Sequence, residues 1–274
     1  MTEVYGTERL VVRYGGTTAL DDVSVDVPAG DVVAVVGGDG AGKTTLLRTL
    51  VGAVTPAAGS VRRPPLREIG FMPTTSGVWR ELTVDENVQF VGGVYGLHGT
   101  ELRRRRDRLL GAAGLADVGD RLAGRLSGGM RQKLAFSLAM LHDPALLVLD
   151  EPSTGIDPVS RVDLWRLVTA AAVGGTAVLM STTYLDEAER AGTVLVLDRG
   201  RVLLSGAPEE VVAAAPGTVV ETDRPVDRGW SWRRGRRFHA WHPGPPAAGD
   251  RVVERDLEDA VVAAALADRA AVSP

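Results

Sequence analysis

Apolar residues run along this chain in two rhythms. Val23, Val25 and Val27 alternate with polar neighbours, the period of a strand with one buried face, and Pro28-Ala29-Gly30 then turns the chain. From Asp31 to Val36 the run is almost unbroken, which predicts a parallel strand covered on both faces. Ala145 to Leu149 and Thr176 to Met180 repeat that pattern, and Thr193 to Leu197 and Arg201 to Leu204 read as two further strands. A helical stretch from Lys43 to Leu50 follows the first buried run, with Gly52 placed to cap it. Strands alternating with helices predict an α/β layer on a mostly parallel sheet.

Between Gly77 and Leu141 the strand pattern stops. Thr83 and Glu86 are spaced as a capping box opening a helix. Leu102, Leu109, Leu110 and Ala113 share one helical face, and Leu134 to Leu141 continues helical, so residues 77–141 predict a helical insertion. The run Arg103–Arg106 fits either a solvated helix face or an anionic partner. After Pro216 the pattern changes again. Trp230, Trp232 and Trp241 are interleaved with Arg233, Arg234, Arg236 and Arg237, and a hairpin is expected to turn near Gly235. Aromatics with arginines can stack nucleotides. A small β module with its aromatics inward needs no such ligand, and no nucleic-acid partner is expected. A linker from Pro243 to Gly249 leads to a last helix from about Asp256, with Leu257, Val261, Val262 and Leu266 apolar. The chain thus divides into residues 1–215 and a module of 216–274, with no tandem repeat.

Composition narrows the classes. The 274 residues are 45 % hydrophobic and 24 % charged, an ordinary globular balance. A net charge of −4 offers no global field to nucleic acid, and the absence of Cys excludes disulfides, thiol nucleophiles and Cys-bound metals. No run nears the roughly 18 apolar residues of a membrane helix. The first residues, with Glu3 and Glu8, do not read as a signal peptide. The chain is therefore expected not to cross a membrane by itself, though a partner could hold it there. Of 31 basic residues only Lys43 and Lys133 are lysines.

Lys43 lies in the run Gly37-Gly38-Asp39-Gly40-Ala41-Gly42-Lys43-Thr44, which fits G-x-x-x-x-G-K-[ST] at every defined position. Such a loop turns backbone N–H groups onto phosphate oxygens, and the following helix adds its positive end. Lys43 would reach the β- and γ-phosphates and Thr44 would ligate Mg²⁺. A slim ammonium suits that loop better than a planar guanidinium. Leu147-Val148-Leu149-Asp150-Glu151 is a buried strand ending in two carboxylates, where ligands bind in parallel sheets. Asp150 would hold Mg²⁺ through water and Glu151 would polarise the attacking water. Leu126-Ser127-Gly128-Gly129-Met130-Arg131-Gln132 forms a second glycine-rich helix start between those two motifs.

In this order the three motifs resemble the ATP-binding cassette (ABC) ATPases over about residues 4–215. The resemblance implies a P-loop NTPase of α/β class with a RecA-like, mostly parallel core, a helical subdomain at about 77–141 and a small C-terminal α+β appendage. It implies ATP and Mg²⁺ as cofactors, and a dimer whose signature Ser127-Gly128-Gly129 lies against the γ-phosphate held by a second cassette. Nucleotide contacts would come from Gly37, Gly38, Asp39, Gly40, Ala41, Gly42, Lys43, Thr44 and Thr45. Tyr14 falls where the family stacks an aromatic on adenine, or is simply a packed strand residue. Ser153 to Asp157 looks like the loop that crosses the dimer interface, with Asp157 as its acid, and Gly206 with Pro208 resembles the family's strand-to-helix ending.

Two positions depart from the family pattern. Thr74 stands where a glutamine usually touches Mg²⁺ and the attacking water, and Thr183 where a histidine usually contacts the γ-phosphate. Either the variation is tolerated, or this chain's own site binds ATP and hydrolyses it slowly. The second reading implies a non-identical ATPase partner whose site the intact signature completes. The Leu82–Asn87, Leu126–Lys133 and Tyr184–Glu189 runs look like the ATPases of two-component bacterial multidrug and antibiotic exporters, the ABC-2 group. That group implies a separate transmembrane permease, a peripheral place on the cytoplasmic face of the membrane, and a coupling surface near Thr74 to Glu81. The rivals are a soluble ABC protein and a nucleotide-binding regulator with little turnover.

Overall fold

The computed structural model describes residues 3–226 and 230–272. Two long strands, β1 (Val4–Tyr14) and β2 (Thr17–Pro28), open the chain. Then come β3 (Val32–Val36), the helix α1 (Lys43–Leu50), β4 (Ala58–Arg62) and β5 (Ile69–Met72). Three helices follow, α2 (Val84–Val94), α3 (Gly99–Ala112) and α4 (Gly128–Ala139). The α/β pattern resumes with β6 (Leu146–Asp150), α5 (Pro158–Val173), β7 (Ala177–Thr182), α6 (Leu185–Ala188), β8 (Thr193–Asp198), β9 (Arg201–Gly206) and α7 (Pro208–Ala214). The chain ends in β10 (Thr218–Thr222), β11 (Ser231–Arg234), β12 (Arg237–His242), β13 (Arg251–Val252) and α8 (Leu257–Val272).

The central sheet has the order β5-β6-β7-β3-β8-β9, parallel except for β9. Strand periodicity splits its residues between two cores. Ala34, Val36, Leu147 and Leu149 face the layer of α4 and α5, while Val33, Val35, Leu146 and Val148 face α1 and the antiparallel sheet β2-β1-β4. Both sets are fully buried, and each Leu or Val contributes about 1.5–3 kcal/mol. Because β6, β7 and β3 are parallel neighbours, their carboxyl ends open on one edge, where the glycine loop after β3 meets the turn after β6.

Most of the expected elements form within a residue or two of the expected limits. Strands β1, β4, β5, β10 and β13 and helices α5 and α6 are not legible in the hydrophobic pattern. β1 is irregular: Arg9 has φ +50 and the pairing slips at three places, so simple alternation is lost. Strand β4 is mostly exposed. Val23, Val25 and Val27 belong to the antiparallel sheet rather than the central one.

Among residues 77–141 the capping box of Thr83 and Glu86 forms on α2, and Val84, Val88, Leu110, Leu134 and Leu138 enclose a separate core. The arginine run is only half solvated. Arg103 and Arg104 are exposed, while Arg105 donates to the Leu141 carbonyl at 3.0 Å and Arg106 donates to Asp85 at 2.8 Å. Those two pin α3 against its neighbours. In the last segment the hairpin turns at Gly235 as expected, and α8 covers the sheet β11-β12-β10-β13 through Ala260, Ala263 and Trp241. Two of its arginines form ion pairs: Arg234 with Asp256 and Glu258, and Arg237 with Glu221. Among the described residues no helix is long and apolar enough to cross a membrane.

Candidate functional site

The glycine loop leaves β3 and enters α1 through Gly42, whose φ of +106 is left-handed. A Cβ there would stand 2.6 Å from Leu20 Cδ2, so only glycine fits. The β8–β9 turn braces the loop, with the Gly200 N–H donating to the Ala41 carbonyl at 2.9 Å. At its far end α1 is closed by Arg63, which donates to the Leu50 carbonyl at 3.1 Å, a cation at the negative end of the helix dipole. The loop wraps a cavity of about 210 Å³, lined by residues 38–45, Ala19 and Glu151.

Lys43 is 5 % exposed, and its ammonium donates to the carbonyls of Gly37 at 2.8 Å and Gly38 at 3.2 Å. Its Nζ lies 3.5 Å from Glu151 Oε1. The chain's rare cation is thus held in place by the loop it serves. Asp150, buried at the end of β6, receives three hydroxyl donors: Thr44 at 3.2 Å, Thr74 at 3.0 Å and Ser181 at 2.8 Å. A buried carboxylate needs such donors to offset its lost hydration. Ser181 also accepts the N–H of Glu151 at 2.9 Å, which fixes the backbone at a residue with φ +51. A non-glycine residue in that region is strained, as residues at functional sites often are. The strain turns the Glu151 side chain back toward Lys43.

The glycine loop, Asp150, Glu151 and Thr74 therefore converge. Thr183 follows β7 beside them but is exposed, and its hydroxyl makes no hydrogen bond among the described residues. Tyr14 ends β1, half-exposed, opposite Thr17 in a hairpin whose residue Ala19 lines the same cavity. The signature residues lie away from the loop within this chain. Ser127 caps α4 by accepting the Met130 N–H, and Gly128 and Gly129 pack on the 153–160 segment. Asp157 caps α5, accepting the N–H groups of Val159 and Ser160 and the Ser160 hydroxyl, which hold its carboxyl below the usual range. Lys133 pairs with Asp163 on α5 at 3.5 Å.

Sequence reasoning missed Ser181. Its trace is a hydroxyl closing an otherwise apolar run, Ala177 to Met180. Among the described residues no group of three His, Asp or Glu could hold a metal unaided. A hard cation at Thr44, Thr74 and Asp150 would need further oxygens, and phosphates in the adjoining cradle would supply them. The residues present thus fit a nucleotide with Mg²⁺.

The sequence model of the "ABC transporter" family matches residues 20–154. The daunorubicin/doxorubicin resistance ATP-binding protein DrrA of Streptomyces peucetius is 37 % identical over 230 residues, 80 % of this chain and 70 % of that protein. The probable multidrug ABC transporter ATP-binding protein YbhF of Escherichia coli is 38 % identical over 209 residues, 73 % of this chain. The chain spans only 36 % of the length of that relative. Among solved structures, cbiO1 of Clostridium perfringens, part of the ABC transporter complex cbiONQ, is 27 % identical with a TM-score of 0.70, over 78 % of this chain and 92 % of that one. The chain belongs to the ATP-binding proteins of ABC transporters, a family that hydrolyses ATP.

Proposed function

We propose that this chain is the ATP-hydrolysing subunit of a bacterial exporter that moves a drug-like or antibiotic small molecule through a separate transmembrane permease. The observation that carries the enzymatic part is the convergence of Lys43, Asp150 and Glu151 on one cradle. Resistance and multidrug relatives support the export part.

In this reading the glycine-loop N–H groups and Lys43 hold the triphosphate, and Thr44, Asp150 and Thr74 hold Mg²⁺, which screens phosphate charge when bound. Tyr14 stacks on adenine. Glu151 accepts a proton from the attacking water, and Lys43 balances the charge that develops on the phosphoryl oxygens. Ser127, Gly128, Gly129 and Asp157 act across a dimer on the nucleotide of a second cassette. ATP-driven closure and its reversal after hydrolysis then move the permease from the cytoplasmic face of the membrane. Thr74 and Thr183 are too short to reach as far as glutamine and histidine do. The chain's own site therefore turns over slowly, and the favoured partner is a second, non-identical ATPase.

The test is phosphate release by the purified chain, alone and co-expressed with the ATPase and permease of its neighbouring reading frames. Slow release alone, a rise with the partner, and loss of release but not of Mg·ATP binding in Glu151→Gln are expected. Brisk turnover by the lone chain, unchanged by Glu151→Gln, would overturn both the partner and the role of Glu151.

A further inference from the structure

Glu187 lies on α6, outside the phosphate loop, and is 1 % exposed. Its Oε2 accepts two hydroxyl donors, Thr182 Oγ1 at 2.7 Å and Ser153 Oγ at 2.8 Å. Among the described residues its Oε1 makes no hydrogen bond, and it lies 3.5 Å from Arg161 Nε. Burying a carboxylate is costly, and an apolar residue of that size would pack without the cost. The position of its two donors shows what the carboxylate does there.

Ser153 belongs to the turn that begins at Glu151 and ends at Asp157. Thr182 ends β7 immediately before Thr183, and its oxygen also accepts the Tyr184 N–H at 3.0 Å, so it sets the turn into α6. One carboxylate oxygen therefore ties together the two turns that flank the edge of the sheet beside Lys43. A second tie runs parallel to it. Arg161, on the first turns of α5, binds Asp186 and lies 4.2 Å over the ring of Tyr184. Asp157 caps that same helix. The segment 151–161 and the segment 182–187 are thus joined at both ends.

We propose that Glu187 is a positioning residue for ATP hydrolysis: it couples the turn that carries Glu151 and Asp157 to the turn that carries Thr183. The inference rests on the assignment of Glu151 to the attacking water. A second cassette seated against Asp157 would then align both turns at once rather than one. The physical content is geometric, because Glu187 touches no reacting atom; it acts by removing freedom from groups that do.

The experiment uses the full chain with Mg·ATP in single-turnover phosphate release, enzyme in excess, which reads slow chemistry. Mg·ATP binding is followed by calorimetry. Glu187→Ala is expected to lower the hydrolysis rate at least tenfold while the Kd for Mg·ATP stays within twofold. Glu187→Gln keeps an oxygen acceptor for both hydroxyls and is expected to recover the rate to within threefold. Ser153→Ala should slow the wild-type chain several-fold and add nothing to Glu187→Ala, since both remove the same link. A Glu187→Ala rate within twofold of wild type overturns the proposal. So does a parallel loss of rate and Mg·ATP affinity that glutamine does not rescue, the mark of a merely structural role. Should the alanine variant not fold, Ser153→Ala decides alone, and an unchanged rate overturns the coupling. Turnover that survives Glu151→Gln removes the assignment of Glu151, and the proposal falls with it. Turnover lost in Glu151→Gln but intact in Glu187→Ala overturns the positioning role and leaves that assignment standing.

Discussion

At Asp150 the third hydroxyl comes from Thr74, and its 3.0 Å bond to Oδ2 fills an oxygen that the other two donors leave free. A threonine there satisfies the carboxylate but extends no further into the cavity. Thr183 has the opposite character, exposed and unengaged. Each position thus lacks a long polar group that could follow charge as it develops during phosphoryl transfer, and one such contact is worth roughly two to three decades in rate. Thr183→His in the lone chain is therefore expected to raise turnover at least tenfold, and Thr74→Gln with it to raise turnover further, as measured by phosphate release. If neither substitution changes the rate, the two threonines do not limit turnover and the argument for a second ATPase loses its basis.

Among the elements, α4 and α5 meet tightly at their first turns. A Cβ on Gly129 would stand 2.2 Å from Ser160 Oγ and 2.5 Å from Ser160 Cβ, and the Ser160 hydroxyl is already committed to Asp157. The second glycine of the signature is thus required inside this chain by helix packing, whatever it does for a partner. Gly129→Ala is expected to destabilise the chain by about 1–3 kcal/mol through overpacking, read by urea denaturation. Ser160→Gly in the same chain should return most of that loss, because it removes both clashing atoms. A stable Gly129→Ala chain would mean that α4 shifts freely, and the signature would then need no support from α5. Its neighbour Lys133 takes part in the same contact through Asp163, which gives the second lysine a structural task.

Over the whole molecule, the helical segment and the sheet edge enclose a second cavity of about 220 Å³, lined by Phe71, Gly77, Trp79, Phe90, Val94 and Tyr95. Trp79, Phe90 and Val94 are 42 %, 48 % and 68 % exposed, and the Trp79 and Phe90 rings stand 4.4 Å apart. Asn87, fully buried, holds Trp79 in place by pairing with its backbone N–H and carbonyl, both at 2.9 Å. Clustered exposed aromatics of this kind mark interaction sites. The groove overlaps the Thr74–Glu81 stretch proposed for coupling. Trp79→Ala with Phe90→Ala is expected to cut co-purification with the permease at least tenfold while the turnover of the lone chain stays within twofold. Full retention of the permease would place coupling on another face.

Much of the site is legible in the residues themselves. The glycine loop, Lys43, Asp150, Glu151 and Ser127 to Gly129 are adjacent or nearly so within short motifs, and their spacing along the chain is enough to mark them. The strands β3, β6 and β7 are equally plain, because a strand buried on both faces must be apolar at every position. What the residues do not carry is the meeting of distant segments. Thr74, Ser181 and Thr44 reach one carboxylate only because β5, β6, β7 and β3 lie side by side with parallel carboxyl ends. Ser153, Thr182, Glu187 and Arg161 become one linkage only once α5 and α6 stand at that edge. Strand β1 is hidden by its bulges, and the solvated reading of Arg105 and Arg106 fails because Arg105 also reaches the Leu141 carbonyl and Arg106 reaches Asp85, both outside α3. Local chemistry is written in local spacing. Which hydroxyl meets which carboxylate is decided by strand order and helix packing, and these are properties of the folded chain alone.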